Sequence, residues 1–132
     1  MIRTLALTLL TVFSLSACNQ CNVNTGSYTS AGGSEQSTNL TLSSDNAFIV
    51  KHESWQPGQY EKRDSSQLRG AWTCSNNAIT LKANSNTYSA ELITIGENPL
   101  GLDSNSKAIM FNENTGVDYL NKQMLYPDSH NN

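Results

Sequence analysis

The sequence has no basic block. Its 132 residues carry eight Lys plus Arg against 11 Asp plus Glu. That excludes the electrostatic footprint of a nucleic-acid binder. It equally excludes docking on anionic lipid, which needs a local cluster of Lys or Arg. Catalytic signatures are absent too: no Gly-x-Ser-x-Gly, no His-Glu-x-x-His and no Gly-rich phosphate loop. His52-Glu53 is an isolated pair with nothing to complete a triad, and it reads as a solvated strand end. The expectation is a chain that is not an enzyme and has no cofactor. Long apolar runs are missing as well. The one apolar stretch, Leu5 to Leu15, is broken by Thr8, Thr11 and Ser14. It falls short of the roughly 20 residues that a membrane span needs. Cysteine is scarce, at three positions: Cys18, Cys21 and Cys74.

What is present begins with export. Met1-Ile2-Arg3 gives a charged start, the apolar stretch comes next, and Leu15-Ser16-Ala17-Cys18 closes it with small residues. This is the layout of a cleavable signal over residues 1–17. Leu-Ser-Ala-Cys resembles the lipobox of bacterial lipoproteins. The resemblance implies a diacylglyceryl group on the Cys18 thiol, cleavage before it and acylation of the new amine. An ordinary secretory signal with a Cys near its end is the alternative. Stable attachment takes about two acyl chains, and such a lipoprotein carries more, so the lipid bilayer is an expected partner through Cys18. Residue 19 is Asn rather than Asp. By the sorting rule of these lipoproteins, that directs the protein to the outer membrane.

Without residues 1–17 the chain has 115 residues, with seven Lys plus Arg against 11 Asp plus Glu, a net charge of −4. That is one domain with one modest core. Sixteen Asn residues suit turns and exposed strand faces. In the oxidising envelope a Cys21–Cys74 disulfide is the default reading, and free thiols able to bind a soft metal are the alternative.

Residues 18–25 read as a lipidated tether. After Gly26, short alternating segments are separated by turn residues. Ser27 to Ala31 reads as a first strand. Leu40 and Leu42 share one face of the next, and Ser43 to Asn46 turns the chain into Ala47 to Val50. Trp55 to Gln59 is a loop, and polar Tyr60 to Gln67 is a loop or an exposed edge strand. Leu68 to Cys74, Ala78 to Lys82 and Thr87 to Ile95, expected to be the longest, continue the pattern. Leu100 to Leu102 and Ala108 to Phe111 complete it. About eight short strands at this spacing predict an all-β fold: a small closed or partly open antiparallel β-barrel, lipocalin-like. A wet face and a dry face on every strand force such a sheet to curl. Residues 112–132 read as a C-terminal extension. Val117, Leu120, Met124 and Leu125 have helical spacing there, so a short helix or a last strand is expected.

Several motifs in order resemble the N-terminal domain of the NlpE family, outer-membrane lipoproteins of copper resistance and envelope-stress signalling. They are Gly26-Ser27-Tyr28, Leu40-Thr41-Leu42 with Asp45 to Phe48, Gly70-Ala71-Trp72, Ile79-Thr80-Leu81, and Leu100 to Asp103 with Ile109. The resemblance covers residues 26–111 and implies a small barrel on a lipid tether. One departure matters. The family's Cys-x-x-Cys after the first strand has no counterpart in Thr29 to Gln36, so its copper role cannot be carried over residue by residue.

Copper ligation would otherwise draw on Cys21, Cys74, Met110, Met124 and His52. None has a neighbour at ligand spacing, which favours a disulfide and core methionines over a metal site. Trp72 reads as core. Trp55 and Tyr60 are the candidate binding residues at a barrel mouth. The functional expectation is a non-enzymatic outer-membrane-anchored module of envelope-stress sensing or copper resistance, with an envelope protein partner and metal binding left open. The alternatives are a lysozyme-inhibitor-like interaction module, or a carrier of a small apolar ligand.

Overall fold

The computed structural model describes residues 21–32, 35–96 and 106–128. Cys18, the signal and the expected strand at Leu100 to Leu102 lie outside them.

Eight strands run in sequence order around a closed antiparallel barrel. They are β1 (Gly26–Ser30), β2 (Gln36–Leu42), β3 (Ala47–Ser54), β4 (Asp64–Ser75), β5 (Ala78–Ala83), β6 (Asn86–Thr94), β7 (Lys107–Phe111) and β8 (Met124–Pro127). The alternation legible in the sequence sets which side faces in. Leu40 and Leu42 of β2 meet Phe48 and Val50 of β3, and Ile79 and Leu81 of β5 face Ala90 and Tyr88 of β6. All eight are buried, together with Tyr28, Ile109, Phe111 and Leu125. Apolar side chains thus fill the interior, as they do in small barrels. Trp72 belongs to this core at 9% exposure, and its Nε1 donates to Ser43 O at 3.0 Å.

The turns show why Asn is abundant. Four of the five non-glycine residues with positive φ among those described are Asn: Asn46, Asn76, Asn77 and Asn84. Asn tolerates the left-handed region better than other side chains with a Cβ. Asn76 and Asn77, with φ 50° and 67°, form the two-residue connection between β4 and β5. Positive φ at both positions is the requirement of a type I′ hairpin, for which Asn-Gly is the preferred pair. Asn77→Gly is therefore expected to raise the melting temperature, by the few degrees that about 0.5–1 kcal/mol gives. Thermal denaturation of the two proteins checks it, and an unchanged or lower midpoint contradicts it.

Three sequence expectations are corrected. The barrel does not end at Phe111. The described part of the expected extension, 112–128, is not separate from it, because β8 pairs with both β7 and β1, at Ile109↔Leu125 and Thr29↔Tyr126. Gly116, at φ 82°, interrupts the helical spacing. Beyond it the chain makes a 3-10 turn, Asp118–Leu120, and then a strand. Two open edges at β1 and β7 would otherwise expose unpaired backbone, and a short last strand satisfies both. The longest strand is β4, at 12 residues, because part of the ambiguous polar stretch joins it. Met110 and Met124 are not core. They lie opposite each other across β7 and β8, turned away from the buried pair Ile109 and Leu125, and both are half-buried.

The antiparallel order gives the barrel two distinct ends. One end holds the β2–β3 and β4–β5 turns and the N-terminal segment 21–25. The other holds the β1–β2 connection and residues 55–63, 84–85 and 112–123.

Candidate functional site

The first end carries the N-terminal segment, residues 21–25, which the sequence reads as part of a tether. Cys21 and Cys74 form a disulfide there, with Cα atoms 5.7 Å apart. Val23 packs against the core, and the Tyr28 hydroxyl donates to Asn24 O at 2.6 Å. The segment nearest the expected lipid is thus stapled to the barrel. Neither thiol is free to hold a metal, and no three His, Cys, Asp or Glu side chains converge among the described residues.

The loop end carries the two residues nominated for binding. Trp55 leaves β3 with its N–H donating to Glu35 O, which ties the 55–63 loop to the neighbouring one. Gln56-Pro57-Gly58 turns the chain, with Gly58 at φ 74° supplying the left-handed step. Tyr60–Lys62 then forms a 3-10 turn. This brings Tyr60 back onto Trp55, edge to face, with ring centres 4.9 Å apart, a favourable aromatic geometry. Arg63 caps the pair, its guanidinium carbon 4.8 Å from the Tyr60 ring centre, within cation–π range. Arg63 also donates to Glu53 at 3.1 Å, and Lys51 meets the same carboxylate at 3.0 Å. Hydrogen bonds from Lys51 and then Arg63 hold the Glu53 carboxyl below its ordinary range. Trp55 is half-buried, while Tyr60 is 53% exposed, the one large apolar side chain among the described residues that stands out so far. The sequence singled out Trp55 and Tyr60 separately. That they form one cluster with Arg63 depends on the turn between them.

A second group sits just inside the mouth, and sequence reasoning missed it. Thr38, His52 and Ser66 are aligned across β2, β3 and β4. His52 is not a solvated strand end. It shares the inward parity of Phe48 and Val50, and its Nδ1 lies 2.8 Å from the buried Thr38 hydroxyl. Tyr119, from the 3-10 turn, stacks on it at 4.2 Å and 4°. Leu120 beside it is fully buried and plugs the mouth. Thr115 holds this plug by donating to Asn121 Oδ1 at 2.7 Å. The signal for His52 was its even spacing from Phe48 and Val50.

Burial lowers the His52 pKa, because a charged imidazole under the plug loses hydration. The unfolded chain therefore binds the proton more readily than the folded one. Stability is complete above the unfolded value near 6.5 and declines as pH falls through the lower folded value. Between pH 7.5 and 5 the melting temperature is expected to fall, and His52→Gln to flatten that dependence. Equal pH dependence in both proteins would refute it.

The geometry offers two things chemically: an exposed aromatic–arginine contact surface, and a satisfied polar layer beneath it. No protein-family model, curated protein or solved structure matches this chain.

Proposed function

We propose that this protein is a lipid-anchored envelope module that binds a protein partner with the loop end of its barrel and performs no chemistry. One observation carries the reading. The stapled tether and the Trp55–Tyr60–Arg63 cluster occupy opposite ends of the molecule. A barrel held to a bilayer by Cys18 therefore presents that cluster away from the lipid. Trp, Tyr and Arg are also the residue types that dominate binding energy at protein interfaces. The lipobox and the ordered motifs resembling the NlpE N-terminal domain support an outer-membrane position, with Asn19 permitting export from the inner membrane. The filled interior weighs against a carrier of apolar ligands.

Three measurements test it. Labelled palmitate should enter the protein in cells and fail to enter Cys18→Ala. A photocrosslinking residue at Tyr60 should capture an envelope protein. Trp55→Ala in the purified protein should weaken binding to the captured partner by about 1–2 kcal/mol or more. Absence of label removes the anchor, and absence of any Tyr60 adduct removes the binding surface.

A further inference from the structure

β4 is paired on one side only over half its length. β3 accompanies it from Asp64, opposite Ser54, to Ala71, opposite Ala47. β5 joins it only from Ala71 onward, opposite Lys82. β5 ends at Ala83 and turns back, so residues 64–69 of β4 run on past it as an open edge.

The direction of the backbone groups comes from one bond. The Trp72 N–H donates to Asn46 O, toward the β3 side. In an antiparallel ladder alternate residues turn both main-chain groups to the same side. Leu68 and Ser66 therefore also face β3, while Ser65, Gln67 and Arg69 turn their N–H and C=O groups outward. Among the described residues, no main-chain bond meets them there. Edges of this kind are normally guarded by Lys, by Pro or by a bulge. Ser65-Ser66-Gln67-Leu68 has neither Pro nor charge.

Charge indicates what the edge accepts. Residues 47–75 hold Lys51, Lys62, Arg63 and Arg69 against Glu53, Glu61 and Asp64, a net of +1. The remainder of residues 18–132 has three Lys against eight Asp plus Glu, a net of −5. The only arginines after residue 17, Arg63 and Arg69, flank the open edge.

We infer that the free edge of β4, residues 64–69, takes up an extended acidic segment of a partner protein as an added strand. Main-chain bonds to Ser65, Gln67 and Arg69 supply affinity, and the two arginines select acidic side chains. The inference rests on the anchored-module reading and names its mode of recognition. The Trp55–Tyr60 pair, one turn before Asp64, stands at the head of the new strand. A second copy of this chain is a poor occupant. Antiparallel pairing of two β4 edges points the tether ends in opposite directions, and both cannot then enter one bilayer leaflet.

The test uses the full lipidated chain in cells, with a photocrosslinking residue at Ser65 and a control at Thr80 on the outer face of β5. Ser65 should yield an adduct whose crosslinked peptide is an acid-rich segment of another protein, and Thr80 should not. Gln67→Pro removes an outward N–H that β3 does not use, so the barrel keeps its pairing. It should cut the adduct about tenfold, as loss of a main-chain bond with a steric block implies. Gln67→Thr should leave the adduct intact. If Gln67→Pro fails to fold, Gln67→Glu gives the same comparison, since it repels an acidic strand while Gln67→Lys does not. No Ser65 adduct, an adduct indifferent to all Gln67 changes, or an adduct with a second copy each overturns the assignment. An adduct from Tyr60 without one from Ser65 removes the edge and spares the module reading, whereas silence at both sites removes both.

Discussion

Gly70→Ala is expected to lower the stability of the barrel by about 3 kcal/mol or more, at the upper limit of overpacking effects. The cause is local and steric. A Cβ built on Gly70 would lie 1.9 Å from Lys82 O, 2.8 Å from Lys82 C and 2.9 Å from Phe48 Cε1. The first two are backbone atoms, so no side-chain rotation relieves the overlap. Gly70 stands where β4 leaves its open stretch and β5 comes in beside it at Ala71 and Lys82. Close backbone approach at a barrel corner is a situation that only glycine accommodates. Either β5 shifts away from β4 or the strand distorts, and both loosen the seam that closes this side of the sheet. For a domain of this size the melting temperature should drop by roughly 15 °C. Gly96→Ala is the control, because nothing lies within 4 Å of its Cβ position. It should be near neutral. A small change at Gly70, matching that at Gly96, would show that the seam can open at little cost.

Removing the Cys21–Cys74 disulfide should cost nearly as much. The two residues are 53 apart in sequence. A loop of that size restricts the unfolded chain by about 4 kcal/mol in the chain-entropy view, and native disulfides typically contribute about 2–5 kcal/mol when removed. The loss also reaches the folded state. Residues 21–25 are held by the disulfide, by Val23 against the core and by the Tyr28–Asn24 bond. Without the first, this N-terminal segment frays. The measurement is the melting temperature of Cys21→Ala, of Cys74→Ala and of the double variant. All three should fall together, by about 10–20 °C, and the double should be no worse than the singles. Reductant should lower the parent protein and leave the double variant unmoved. A parent protein insensitive to reductant would mean that the bridge contributes nothing to stability.

How much of the fold was legible before the structure differs element by element. Thr38 to Leu42 and Ala78 to Lys82 alternate apolar and polar side chains, because one face of each is buried against the core. Such segments announce both their strand and its orientation. Tyr60 to Gln67 announces neither. Its upper β4 residues, Asp64 to Gln67, are exposed on both faces, so no burial pattern was imprinted on them. β8 was obscured for another reason. Four residues are too few to establish a period, and the plug residues Val117 and Leu120 ahead of it happen to extend a helical spacing. His52 looked solvated beside Glu53. Its true surroundings come from Thr38, 14 residues earlier, and Tyr119, 67 residues later.

The sequence by itself determined that this is a small all-β domain with alternating strands, Asn-rich turns and one pair of cysteines suited to a bridge. Those properties depend on neighbours a few residues apart, and local steric and burial preferences write them into the chain directly. Only the tertiary structure decided the rest. It chose which strand closes the barrel, joined Trp55, Tyr60 and Arg63 into one surface, placed that surface opposite the N-terminal segment 21–25, and left β4 running on past β5. Each of these comes from strand lengths and register around a closed ring, where one strand's end is set by its partners rather than by its own residues.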